Sequence, residues 1–525
     1  MFGFGAIIRL SLEPGGYGAA GDRFALRYRV IDTPTERLHA LRPEAFVAGP
    51  LGFSSPFGAP NMVNTAPLPW GDRLFVTWDV GRPAELDAVS LRFLGEVGHV
   101  DSWRGSSLPD DKLTPFLFST AHPVVDPDRN CLWTVKLVPV GFSPWRLQPW
   151  VVRYDGDGIE VRVWPVAGAT ITGSMHTITQ TRDWLILADS GNFKADPGEL
   201  TNGVRSVLID DEVPVFLVRK DRIEQTPVGD EVAAEVFTVS PSTGHFYARY
   251  DDSDGVRVLF EHMDRTDLGF HLRADDTDAF GRPVDPALVG FYNMAMAPSS
   301  VSEVSFDPLT KTATREAFVC EEWSWSHQLS AMDWSTEGIS APTRHHIVFQ
   351  GFRPSAISQR ALTAYGDRVD RSAFPDDETA ACLVSLERGS LEVSSVYEFP
   401  SLADFPSSPV FVPRECGVPG RSRYAGKDPG GHDGWVVCPV LSDDGFRVEV
   451  FDAGSVGAGP VATLGTSART CLPFMLHSAW APAAVSAPDA ERLRFSQEVR
   501  RDVMSALSDA DAAAVVRVAA ELDEI

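Results

Sequence analysis

Basic residues are scarce in this chain. Against 72 aspartates and glutamates stand 46 lysines and arginines in 525 residues, a formal charge of −26. Phosphate neutralisation needs clustered cations, so the deficit argues against a nucleic-acid partner. It argues equally against electrostatic attachment to an anionic membrane, while contact through an apolar patch stays open. The excess acid reads as a solvated surface. Paired cysteines are lacking too. Cys131, Cys320, Cys382, Cys416, Cys438 and Cys471 are dispersed and form no CxxC. That excludes a thiolate zinc site or a disulfide framework and points to free thiols in a reducing compartment. No apolar run approaches the ~18 residues of a membrane-spanning helix. The start, MFGFGAIIRLSLEPGG, has neither the basic opening nor the cleavage site of a secretory signal. A cytoplasmic protein is expected, peripherally membrane-associated at most. No HExxH occurs among the 12 histidines, so their spacing alone says little.

Short alternating strands, in contrast, are everywhere. DRLFVTWD (72–79), CLWTVKLVPV (131–140), YDGDGIEVRVWPV (154–166), RHHIVFQGF (344–352) and DGWVVCPVLSDDGFRVEVFDAG (433–454) are bounded by Gly, Asp, Asn and Pro. DG turns are hairpin signals because glycine tolerates the positive φ that primed turns require. Helical periodicity is scarce before residue 488. Many hairpins and no linker predict one large all-β domain over residues 1–484, a propeller ahead of a sandwich or barrel. Residues 485–525 differ. Pro488-Asp489 and Ser508 supply helix starts, and Val515, Ala519 and Leu522 recur at helical spacing, which predicts a short helical C-terminal tail.

Four segments give the histidines a meaning. STAHPVVDPDRNCLW carries His122, GSMHTITQTRDWLIL carries His176, TGHFYARYDDSDGVRVLFEH carries His245, and CLPFMLHSAW carries His477. In this order they resemble the iron-ligand segments of the carotenoid cleavage oxygenases, a family that includes stilbene-cleaving dioxygenases and a retinoid isomerohydrolase. NTAPLPWGDRLFVTWDVGRPAELD (64–87) and FPSSPVFVPRECG…GGHDGWVVCPVLSDD (405–444) support the match, which spans most of residues 1–480. The resemblance implies a seven-bladed β-propeller with one Fe(II) on its axis, bound by His122, His176, His245 and His477. Imidazole suits iron, and four nitrogens on an octahedral ion leave two positions for O₂ and substrate. The implied reaction is oxidative cleavage of a conjugated C=C in a carotenoid or apocarotenoid to two carbonyl products. Stilbene cleavage is the alternative within the family, since no polar anchor for a phenol can be placed. From another class comes a degenerate member that binds an apolar ligand or partner without turnover. A hydrolytic zinc propeller lacks an identifiable general base. The oligomeric state is open.

The chain departs from the family behind the histidines. A ligating imidazole usually donates its other N–H to a carboxylate, and the family places glutamates behind three of the four. Here the first equivalent is Asp79, behind His176, one methylene shorter, so a direct bond needs a closer backbone or a bridging water. The second is Glu337 in DWSTEGISAP, behind His245. The third falls on Ser408, behind His477; Glu398 is too far along the chain to replace it. Ala248 stands where the family commonly has asparagine. The glycine-rich segment that precedes the family's first strand is missing, and a start codon placed too late is the expected reason. FVAGPLGFSSPFGAPN (46–61) could form an apolar substrate entrance or membrane-dipping patch, with packing its ordinary role. Two carboxylates against Fe²⁺ leave the centre near neutral where three would leave it at minus one. Ser408→Glu is therefore expected to tighten iron retention, within the ~10–100-fold range typical of such changes. Unchanged iron affinity and turnover, read by chelator competition and assay, would contradict this.

Overall fold

The computed structural model describes residues 4–12, 24–49, 52–104, 112–142, 145–156, 159–194, 196, 199, 204–263, 265–319, 324–326, 328–331, 344–414, 433–465, 472–481, 485–486 and 492–524. Its strands form antiparallel sheets in sequence order, the mark of a propeller. Blade 1 comprises Ala66–Trp70, Arg73–Thr77, Ala84–Leu86 and Phe93–Glu96. Blade 2 comprises Val124–Asp126, Cys131–Phe142, Trp145–Tyr154 and Arg162–Pro165. Blade 3 comprises Ile178–Gln180, Trp184–Ala188, Val213–Arg219 and Ala234–Val239. Blade 4 comprises Thr243–Ala248, Val256–His262, Ser300–Asp307 and Thr312–Val319. Blade 5 runs from Gln328–Ser330 through Arg344–Phe349 and Cys382–Glu387 to Val393–Glu398. In blade 6, Phe405–Pro406 and Val410–Pro413 both pair with Gly434–Ser442, followed by Gly445–Asp452 and Ala462–Gly465.

The expected all-β propeller is therefore present, with one correction. Six blades are described where seven were expected. The termini supply only a two-stranded sheet, Ala6–Leu12 with Phe24–Val30, and a coil at 472–481. Ile7 of that sheet packs on the blade 1 cluster, whereas the coil bonds to blade 6 through Ser408 N and Met475 O (3.2 Å). Pro473 within the coil has no N–H to offer a ladder.

Blades stack by ordinary strand periodicity. In Cys131–Phe142, residues Cys131, Trp133, Val135 and Leu137 enter one cluster shared with blade 3. Leu132, on the opposite face, packs with Phe75 of blade 1. Each blade is thus apolar on both faces. The C-terminal helices Phe495–Glu498, Arg501–Ala506 and Asp509–Asp523 pack through Val503, Val515 and Val518 against Leu38 of helix Pro34–Leu41. Ser508 caps the last of them by accepting the Asp511 amide. A buried ion pair anchors the tail: Arg82 of the blade 1 region meets Glu498 at 2.7 Å and also pairs with Glu96. Helix Gln359–Tyr365, which packs with Phe270, Met294 and Trp325 outside the blades, has no counterpart in the sequence reading.

One buried group ties blades 2, 3 and 4 together. Asp126 accepts from Lys220 Nζ at 2.6 Å, Trp133 Nε1 at 3.1 Å and the Tyr250 hydroxyl at 3.1 Å. Lys220 also donates to Gln180 Oε1 (2.8 Å) and Thr181 O (2.7 Å), and neither charged side chain is exposed. Lys220→Met would strand a buried carboxylate, and breaking such a pair costs about 3–5 kcal/mol. Urea denaturation should show that loss, and Lys220→Met combined with Asp126→Leu should recover part of it.

Candidate metal centre

Three of the four expected histidines stand at or beside the first strand of a blade. His122 precedes Val124–Asp126, His176 precedes Ile178–Gln180, and His245 lies within Thr243–Ala248. Those strands lie side by side. Ile178 N donates to His122 O (3.4 Å), and the Thr177 hydroxyl donates to Gly244 O (2.8 Å). His245 stands opposite Glu261 in the next strand, and a β-bulge lies immediately before it at Gly244, where bulges can re-aim a neighbouring side chain. His477 comes from the coil beside blade 6.

The four imidazoles converge, and their ligand atoms all lie within 4.8 Å of one another. Ring centroids are 4.3 Å apart for His122–His477, 4.8 Å for His122–His176 and 5.1 Å for His122–His245. His176–His245 and His245–His477 are also at 5.1 Å, whereas His176–His477 is at 6.4 Å. Six equal separations would mark a tetrahedron, and four short with two long a square. Five short and one long is the pattern of four octahedral vertices with two adjacent ones open, opposite His122 and His245. The donors are also in the right state. His122 Nε2 is buried without a hydrogen-bond partner, and His176 Nε2 sits 3.2 Å from His245 Nε2. Burial, reinforced by the neighbouring rings, holds His122 and His477 well below the usual imidazole range. Burial and His176 push His245 down to about 3. Neutral, inward-facing nitrogens that nothing else satisfies fit a metal ion.

Asp79 reaches His176 directly, Oδ1 to Nδ1 at 2.8 Å. The shorter side chain is offset by the backbone. Segment Phe118–His122 runs between the two: Ser119 N donates to Asp79 O (2.7 Å), while Ala121 N and His122 N donate to His176 O (3.0 and 3.1 Å). That shared segment draws aspartate and histidine together, and no bridging water is needed. Glu337 lies outside the described residues. Among the described residues, the carboxylate facing His245 is Glu261, with Oε2 3.3 Å from Nδ1, and it accepts from His345 Nε2 at 2.8 Å. Sequence reasoning missed both Glu261 and His345. The signal was available: counting the hairpin register across DDSDG puts residue 261 opposite 245. Ser408 is buried beside the His477 segment, where its carbonyl accepts from the Ser478 hydroxyl at 2.8 Å; its own hydroxyl reaches only Pro409 O at 3.5 Å. Glu398 is exposed on the outer strand of blade 5. Ala248 is buried and donates its amide to Thr179 Oγ1 (3.0 Å), a packing role. In the loop 46–61, Phe46 and Phe57 are buried with the C-terminal helices, so they serve the core rather than an entrance.

The family model described as retinal pigment epithelial membrane protein matches residues 3–482. A Synechocystis apocarotenoid oxygenase carrying a glutamate-to-aspartate mutation is 16% identical, covers 88% of this chain and 85% of its own, and superposes with a TM-score of 0.53. Pseudomonas brassicacearum lignostilbene dioxygenase is 17% identical over 91% of this chain and 92% of its own, also with a TM-score of 0.53. A cobalt-substituted form of the Synechocystis enzyme is 17% identical over 88% and 85%, with the same TM-score. No curated protein matches in sequence.

The depressed imidazoles set a pH dependence for the metal-free protein. A histidine whose folded pKa lies below its unfolded 6.5 binds fewer protons folded than unfolded, so stability falls as pH drops from 6.5 toward about 3 for His245. Thermal melts between pH 7 and 4 should show that decline, and His245→Gln should flatten it.

Proposed function

Because the chain belongs to the carotenoid cleavage oxygenase family, which the retinal pigment epithelial membrane protein model represents, we propose that it is a non-haem Fe(II) dioxygenase that cleaves a conjugated C=C bond. The observation that carries this reading is the four-histidine cluster, whose ligand atoms all lie within 4.8 Å of one another. His122, His176, His245 and His477 would hold the ion. Ferrous iron there supplies the means of activating O₂ beside an alkene. The protein's own part is positional. Asp79 holds the His176 ring by its Nδ1–H, so that Nε2 points to the centre. The bulge at Gly244 aims His245, and the bonds from Ala121 and His122 to His176 O keep the first two ligands in register.

The chemistry asks no side chain for a proton. Adding both atoms of O₂ across a C=C yields two carbonyls, with no proton gained or lost, so an acid–base pair is not required. An apolar polyene or aromatic alkene is the proposed substrate class. Its support is the neighbours, an apocarotenoid oxygenase and a lignostilbene dioxygenase. The second reading, a member that binds an apolar ligand without turnover, draws on Asp79 and Ser408 standing where the family has glutamate.

Iron content of protein purified without added metal separates the two. Near-stoichiometric iron, lost in His122→Ala, is expected of the enzyme, and no iron at any loading favours the binder. A panel of carotenoids, apocarotenals and stilbenes then identifies the substrate. With ¹⁸O₂, label should enter both carbonyl products.

A further inference from the structure

Glu261 is a carboxylate in an unusual place. It is wholly buried on Val256–His262, directly opposite His245 across the hairpin. Its Oε1 accepts from His345 Nε2 at 2.8 Å, and His345 Nε2 also lies 3.1 Å from the Ser330 hydroxyl. Its Oε2 has no hydrogen-bond donor among the described residues, and neither has His245 Nδ1 an acceptor. These two unsatisfied atoms face each other at 3.3 Å, outside hydrogen-bond alignment but within a small ring rotation of it. The arrangement repeats that of His176, whose Nδ1 meets Asp79 while its Nε2 turns inward.

Resting on the reading of the four histidines as a metal centre, we infer that Glu261, steadied by His345, is the positioning residue that orients His245 for the metal. The supporting carboxylate thus comes from the same hairpin as its ligand. Once Nε2 of His245 binds an ion, its Nδ1–H needs an acceptor, and Glu261 Oε2 is the one the hairpin register delivers. His345 holds the other oxygen and stops the carboxylate from turning away.

The test is Co²⁺ binding to the full chain, read by chelator competition and by the visible absorption of the bound ion. Glu261→Leu should lower Co²⁺ affinity about 10–100-fold and change the spectrum. Glu261→Gln keeps an acceptor oxygen and should fall between wild type and Glu261→Leu. His345→Gln releases the carboxylate and should weaken binding less than Glu261→Leu does. Should Glu261→Leu fail to fold, Glu261→Gln and His345→Gln decide the matter. Wild-type affinity and spectrum in every folded Glu261 and His345 variant overturns the inference. Undiminished Co²⁺ binding in His122→Ala instead overturns the four-histidine centre itself, so the two failures are distinguishable.

Discussion

The Asp126–Lys220 contact is the constraint on which the rest of the architecture depends. A propeller blade is a flat, apolar slab, and slabs packed face to face can slide by a residue with little change in buried area. Three such slabs carry His122, His176 and His245, and a slip of one strand position would turn an imidazole away from the axis. The buried pair forbids the slip. Asp126 ends the first strand of blade 2, Gln180 and Thr181 end that of blade 3, and Tyr250 follows that of blade 4. A single ammonium and a single carboxylate, both removed from water, are satisfied only when all three blades are in one register. A charge pair of this kind is an indifferent source of stability and a strict source of specificity.

The centre itself is built from neutral donors. Low dielectric and mutual repulsion keep three of the rings unprotonated, so they need no deprotonation before binding a cation. The acidic groups stand one step back, Asp79 behind His176 and Glu261 near His245. This division would offer an ion nitrogen ligands of fixed direction, with the carboxylates held behind the rings.

Much of this was legible in the residues. Period-2 alternation and DG turns located hairpins that the structure contains, among them Gly434–Ser442 with Gly445–Asp452. The four histidine segments were readable because each has its own short context, such as the AHP-x-x-DP stretch. Three things were not. Blade number depends on how the terminal segments pair, and among the described residues that pairing is Ala6–Leu12 with Phe24–Val30. Helix Gln359–Tyr365 is seven residues long and its stability comes from tertiary packing, too short for a periodic signal. Glu261 was not picked out because its place opposite His245 is set by cross-strand register rather than by a motif.

The anchor between Arg82 and Glu498 joins residues 416 apart in sequence. On a ribosome adding ~5–20 residues per second, the guanidinium emerges roughly 20–80 s before that partner. Through that interval Glu96 is the companion close in sequence. The first blade thus begins life with its buried cation half-matched and is completed only once Glu498 has been made. Completion of that blade therefore waits on a residue far downstream, and a chain that stops short of Glu498 carries an unmatched charge in its first blade.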